Sequence, residues 1–160
     1  MTFADLVQLL HVLAAFWFVA GLLGRDVILG LARRAADMGT VQTLVAVAGP
    51  FDRLMVIPGS MAVLVLGILT WWVQHLPLWG DGTRWVTVSL IVFATSIPLV
   101  PLIFLPRGRV FEAALSSAIA QGRVTPELSA ALHDPMVEFA HWYERAVVAV
   151  VLVLMVTKPF

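Results

Sequence analysis

Residues 6–24 read LVQLLHVLAAFWFVAGLLG, nineteen positions without a formal charge, and Arg25-Asp26 ends the run. A helix that crosses the hydrocarbon layer needs about 20 apolar residues at about 1.5 Å each. The run is continuous rather than alternating, which excludes a period-2 barrel strand. The rest of the chain has the same character. Of 160 residues, 61% are apolar and 12% charged, with ten Lys+Arg against ten Asp+Glu. A soluble domain carries about 25% charged residues, so a water-soluble fold and a disordered chain are both excluded. Nucleic acid is not an expected partner, because no net positive field gathers phosphates. The expected partner is the lipid bilayer.

The predicted fold class is all-α: an integral membrane four-helix bundle in a single domain, 1–160. The expected spans are about 4–32, 54–76, 85–105 and 135–157. Trp71, Trp72 and Trp79 sit near the end of the second span, as interfacial aromatics do. Pro98 and Pro101 predict a kink in the third, since each removes a backbone donor. The fourth is polar in its first half and apolar only from Ala146 to Thr157, so that first half must face protein or water. The start lacks the basic region of a secretory signal peptide, and the first apolar segment is expected to stay as an anchor.

Two connections are long. Residues 33–53 place Val41, Leu44, Val45 and Ala48 at helical spacing before Gly49-Pro50. Residues 107–134 do the same with Val110, Phe111, Ala114, Leu115, Ala118 and Ile119. Each predicts a short amphipathic helix on the membrane surface or against the bundle. A further short helix is expected at Thr125-Pro126-Glu127, with Thr125 as N-cap. Arg33, Arg34, Arg53, Arg107, Arg109 and Arg123 fall in these connections, against Arg84, Lys158 and the amino terminus on the other side. The positive-inside rule places the connections in the cytoplasm and both termini outside, in a bacterial inner membrane.

Chemistry is sparse. There are no cysteines, which removes thiolate nucleophiles, iron–sulfur clusters and Cys-ligated zinc. No GxSxG, Walker or HExxH pattern occurs. Ser60, Thr70, Ser89, Thr95 and Ser96 read as interhelical hydrogen-bonders. Ala20 and Gly24 form a small-xxx-small step for close helix approach. One polar cluster stands out at a common depth: Arg25 and Asp26 on the first helix, Asp52 and Arg53 at the start of the second, and Glu138, His141, Glu144 and Arg145 on the fourth. Buried charges need partners. The expected pairs are Arg25 with Glu138 or Glu144, and Arg145 with Asp26 or Asp52. Such a cluster is either a polar cavity for an anion or for protons, or a structural lock between helices. His11 and His75 share the other leaflet. Two facing imidazoles hold a b-type haem; the alternative is two structural histidines.

His11, Trp17, Gly21 and Arg25, with Pro58-Gly59, the Gly67-to-Thr70 stretch and the ending Met155-Val156-Thr157-Lys158-Pro159-Phe160, resemble a bacterial integral membrane family called domain of unknown function 2269. More distantly, the first helix is similar to HemJ-type protoporphyrinogen oxidases and to copper-resistance D-like proteins. The oxidase resemblance implies a haem on His11 and a lysine in a later helix; the only lysine here is Lys158. The leading functional reading is a non-enzymatic accessory or small-ligand-binding membrane protein. Its alternatives are a haem b redox protein using His11, and a proton- or ion-linked transporter component using the Arg145 cluster. A homo-oligomer or larger membrane complex stays open as a partner.

Overall fold

The computed structural model describes residues 1–78, 80 and 82–159, and it is helical throughout, with no strand among them. The expected interfacial Trp79 and the terminal Phe160 lie outside the described residues. The helices are α1 (Phe3–Arg34), α2 (Met38–Phe51), α3 (Ile57–Val73), α4 (Arg84–Ala94), α5 (Leu105–Gln121), α6 (Pro126–Leu132) and α7 (Pro135–Thr157), with π-helical turns at Asp52–Val56 and Val100–Phe104. Three rods are long and apolar enough to cross a membrane: Phe3–Arg34, Met38–Val73 and Pro126–Thr157.

Local chemistry sets the ends. Thr2 and Asp5 form a reciprocal capping box at the start of α1. Asp37 caps α2 by accepting from the Thr40 amide at 2.8 Å. Hydrogen bonding to Thr40, through its side chain first and its amide second, holds the Asp37 carboxyl below its ordinary range. Gly122 closes α5 in the left-handed conformation, which costs a residue without Cβ nothing. Thr125 accepts from Leu128 N with Pro126 in the first turn, the N-terminus its sequence predicts.

Three expectations are corrected. First, the helix of the first connection is not separate. It passes through Gly49-Pro50 and the π-turn into α3 as one 36-residue rod. Gly49 has no Cβ to clash with the following proline ring, so the α conformation survives there. Second, the span expected at 85–105 is interrupted. α4 ends after 11 residues, about 16 Å, too short for a layer of about 30 Å. Pro98 and Pro101 have no N–H for the carbonyls of Ala94 and Ile97, and those carbonyls accept i+3 bonds from Ile97 and Val100 instead. The segment still runs the length of α7: Lys158 Nζ lies 5.4 Å from the Trp85 ring centre, Tyr143 donates to Thr95 at 2.8 Å, and Arg107 meets Asp134 at 2.8 Å. Third, most of the Ser and Thr hydroxyls serve their own helices. Ser60, Thr70 and Ser96 donate to carbonyls three or four residues back, and Ser89 Oγ is buried without a partner; Thr95 donates to Val92 O and is also the interhelical partner expected, accepting from Tyr143 of α7.

Both π-turns precede a proline by the same step, Asp52–Val56 before Pro58 and Val100–Phe104 before Pro106. A proline withdraws the N–H that the carbonyl four residues earlier would receive; widening the turn moves that carbonyl off the ring. For Pro58 the orphan is Leu54 O, and the Trp17 indole of α1 donates to it at 3.0 Å.

Two cores result. One is in the bundle, where Phe18, Leu22, Val56, Phe93, Val147 and Val151 meet, with Phe18 and Phe93 edge to face at 6.4 Å. The other is built wholly from the two connections and α6: Met38, Val41, Ala114, Ala118, Leu128 and Leu132. The amphipathic helices thus bury their faces against each other. Of the six residues expected on the apolar face of α5, Ala114 and Ala118 are buried while Val110 and Ile119 are exposed.

α1 and α3 approach closely along glycines. A Cβ on Gly21 would stand 2.5 Å from Met55 Cβ, one on Gly59 3.0 Å from Phe18 Cβ, and one on Gly67 3.0 Å from His11 Cε1; one on Gly24 would overlap the Phe51 ring. Gly30 has open space. We therefore expect Gly21→Val to lower unfolding stability in detergent by about 1–3 kcal/mol through overpacking. Gly30→Ala should be neutral or stabilising by up to about 1 kcal/mol. Equal effects at the two positions would show that the α1–α3 seam is not the tight contact described.

Candidate functional site

Arg25 has the side chain that most needs explanation, a guanidinium 4% exposed in an apolar helix. It sits on the buried stripe of α1 with Phe18, Gly21 and Leu22. Each of its three nitrogens meets a different carboxylate: Nε with Asp26 at 3.2 Å, Nη1 with Asp52 at 3.0 Å, and Nη2 with Glu144 at 2.8 Å. Asp52 lies on the first π-turn and Glu144 on α7, so one side chain joins three segments. Asp26 also accepts from Arg145 Nη1. The His141 ring stacks on Phe104 at 4.9 Å. Its Nδ1 faces Asp26 at 3.9 Å and Glu144 at 3.8 Å but hydrogen-bonds neither.

The structure brings together Arg25, Asp26, Asp52, His141, Glu144 and Arg145. Arg25 takes Asp52 as well as Glu144, and Arg145 takes Asp26. Glu138 and Arg53 stand apart. Glu138 is 64% exposed and faces Arg33 at 3.7 Å; it lies almost two turns before Arg145, too far along α7 to reach Arg25. Arg53 is exposed, because the position after Asp52 points away from the bundle. Sequence reasoning missed Arg33. Its Nε donates to Leu132 O at 2.8 Å and closes the end of α6. The available signal was its spacing of seven from Asp26, which puts both on one face of α1.

Depth follows from the helix rise. Gln74 donates to Gln8 at 2.9 Å near the end of the bundle that carries both termini. Arg25 lies 17 residues further along α1, about 26 Å. Against a hydrocarbon layer of about 30 Å, the network lies just inside the far boundary. Trp142 and Phe139, both exposed, mark that level on α7. Beside the network is a cleft of about 40 Å³ lined by Asp26, Leu29, Arg33, Glu138, His141 and Arg145. That is room for about three waters.

The two candidate haem ligands are not brought together. His11 is buried with its ring against Gly67 and its Nδ1 unpartnered. His75 is exposed, in a left-handed turn after α3, eight residues and so about 12 Å beyond Gly67. A bis-histidine haem needs two imidazoles facing each other across its plane, which these two positions do not offer, and the His11 ring packs directly against Gly67. Among the described residues no group of three or more His, Asp or Glu side chains is placed to hold a metal ion.

Arg25→Leu leaves three carboxylates without their common cation. We expect it to lower unfolding stability in detergent by about 3–5 kcal/mol, the cost of breaking a buried ion pair. Arg53→Leu should stay within about 0.5 kcal/mol. An Arg25→Leu protein as stable as the parent would mean that the guanidinium is hydrated rather than buried.

No curated protein and no solved structure matches the chain. The family described as predicted integral membrane protein (DUF2269) matches residues 5–159, nearly the whole chain. An apolar helical bundle closed around a buried arginine is thus matched by a family defined as integral to the membrane, and the chain belongs to that DUF2269 family.

Proposed function

We propose that this is a non-enzymatic, multi-pass protein of the bacterial inner membrane whose buried ion network binds a proton delivered through a water-accessible cleft. One observation carries the reading. Two arginines, Arg25 and Arg145, stand against three carboxylates, Asp26, Asp52 and Glu144, while the unbonded Nδ1 of His141 faces two of those carboxylates. The network carries one excess negative charge while His141 is neutral and none once His141 holds a proton. Asp52 and Arg145 are about two-fifths exposed, but Arg25, Asp26, His141 and Glu144 are 4–14% exposed; uncompensated charge is costly among those four, so His141 offers a proton a specific place. The cleft suits that cargo. Its volume of about 40 Å³ is far below the about 300–1,000 Å³ of organic-ligand pockets.

Binding is favoured over through-passage by the packing. The Phe18, Leu22, Phe93, Val147 and Val151 core closes the bundle between the network and the end that carries the termini. On the connection side the cleft is lined by Arg33 and Glu138. A passage would need a second opening through that core.

The reading includes four crossings. α3 ends beside the termini and α7 begins at the opposite end, so the chain between them must return across the layer. The segment from Trp85 to Arg107, held along α7, is the third crossing in chain order, and α7 is the fourth. Arg33, Arg34, Arg53, Arg107, Arg109 and Arg123 then lie on the side of the long connections, and Arg84 and Lys158 on the other. The arginine bias supports a cytoplasmic position for the connections and an external one for the termini.

Two measurements test this. In lipid nanodiscs, the imidazole N–H of His141 should exchange with solvent deuterium through the cleft faster than that of the buried His11, and its assigned signal should vanish in His141→Gln. A His141 ring as protected from exchange as His11 removes the proton-binding role. For sidedness, the absence of native cysteines allows single substitutions at the exposed Ser116 and Leu78. Only the Leu78→Cys protein should react with an impermeant thiol reagent in intact cells. Reaction of the Ser116→Cys protein instead would invert the orientation.

A further inference from the structure

Glu138 lines the cleft beside His141 without belonging to the ion network. His141 is buried, 8% exposed, whereas the Glu138 side chain is 64% exposed. Glu138 lies four residues before Trp142 on α7, about 6 Å to the water side of the boundary that Trp142 marks. Glu138 and His141 are three apart on the same helix, so they share a face with their Cβ atoms about 5–6 Å apart. The cleft has room for water between them, and one water is enough to bridge two such side chains.

Of the side chains that line the cleft, Glu138 is the one free to pass a proton between bulk water and His141. Leu29 has no acceptor. Arg33 and Arg145 do not give up their protons. Asp26 is spent, since its Oδ1 accepts from Arg25 Nε and its Oδ2 from Arg145 Nη1. Glu138 faces Arg33 Nη1 at 3.7 Å, beyond hydrogen-bond distance, which leaves its lone pairs to water. Arg33 is itself fixed, because its Nε donates to Leu132 O at 2.8 Å. A fixed charge therefore stands where it holds the carboxylate at the cleft. That meets the geometric condition for a proton-transferring group, reach to its target through one water.

We infer that Glu138 delivers protons to His141 and takes them back, with Arg33 as the positioning residue that holds the carboxylate in place. The inference rests on the proton-binding reading and names the route by which the proton arrives. Bulk water gives Glu138 a proton, Glu138 gives one to a cleft water, and that water gives one to the imidazole nitrogen that carries none. The carboxylate and the water are restored. The imidazole gains one positive charge, facing Asp26 and Glu144.

The test is deuterium exchange at the assigned imidazole N–H groups of the full chain in lipid nanodiscs and dilute buffer, with His11 as the internal reference. Glu138→Gln keeps the shape of the side chain but cannot ionise. It should slow exchange at His141 by about tenfold; a positioned acid–base group contributes about 10²–10⁴-fold, and direct access of water makes up part of the loss. The rate at His11 and the unfolding temperature should not change. Glu138→Asp restores a carboxylate and should recover most of the parent rate. Exchange at His141 that is equally fast in the parent and in Glu138→Gln would overturn the route and leave the proton-binding reading in place. So would slowing at His11 and His141 alike, which is a general tightening of the bundle, or a loss that Glu138→Asp does not rescue. Slow exchange at His141 in the parent itself would remove the binding reading and the route with it.

Discussion

A guanidinium taken out of water must keep its charge and find acceptors for its donors, and this demand at Arg25 organises the structure. Arginine cannot discard its proton in a protein. The nearby chain therefore supplies acceptors from its own helix, from the first π-turn and from α7. Because the three carboxylates come from segments far apart in the chain, satisfying one side chain fixes the relative rotation and depth of α1, the α2–α3 rod and α7. The tight glycine seam has the same consequence from the apolar side. Gly21 and Gly24 both precede Arg25 on α1; they face Met55 and Phe51, on either side of Asp52, and let that turn come close enough to reach the guanidinium.

Proline shapes the rest. Pro58 and Pro106 each withdraw one donor from a long rod, and the backbone answers with a single π-turn rather than a break. The turn before Pro58 has a second effect, since it carries Asp52 into the network. The same withdrawn donor leaves Leu54 O open to Trp17, so an aromatic on α1 becomes a polar tie as well as a lipid-facing surface. Pro98 and Pro101 are closer together, and there the helix gives way to tight turns. α4 and its continuation are held less by their own hydrogen bonds than by contacts along α7.

Beyond the network the connections fold into a core of their own. Arg33 joins this core to the bundle, donating to the last carbonyl of α6, Leu132 O, while standing one face-repeat from Asp26. The cleft beside His141 is small and lined mostly by polar groups, while a groove beside Arg107 is larger and mostly apolar, and the two share no lining residue.

The sequence by itself determined the solvent, the helical class, the near-complete extent of α1 and α7, the capped start of α6, and the residue types of the polar cluster. Those properties depend on composition and on periodicity over a few turns, which are local. Depth was also legible, because helix rise is constant, and so Arg25, Asp26, Asp52, Glu144 and Arg145 could be placed at one level. Azimuth was not. Which acid meets which arginine, why Arg53 points away while Asp52 points in, and why His11 meets Gly67 rather than His75 depend on how each rod is rotated about its axis. A single widened turn changes that rotation for everything after it. The continuity of α2 with α3 and the mutual burial of the two connection helices were likewise decided by tertiary structure. An apolar face says only that something must cover it, and only the assembled molecule says what does.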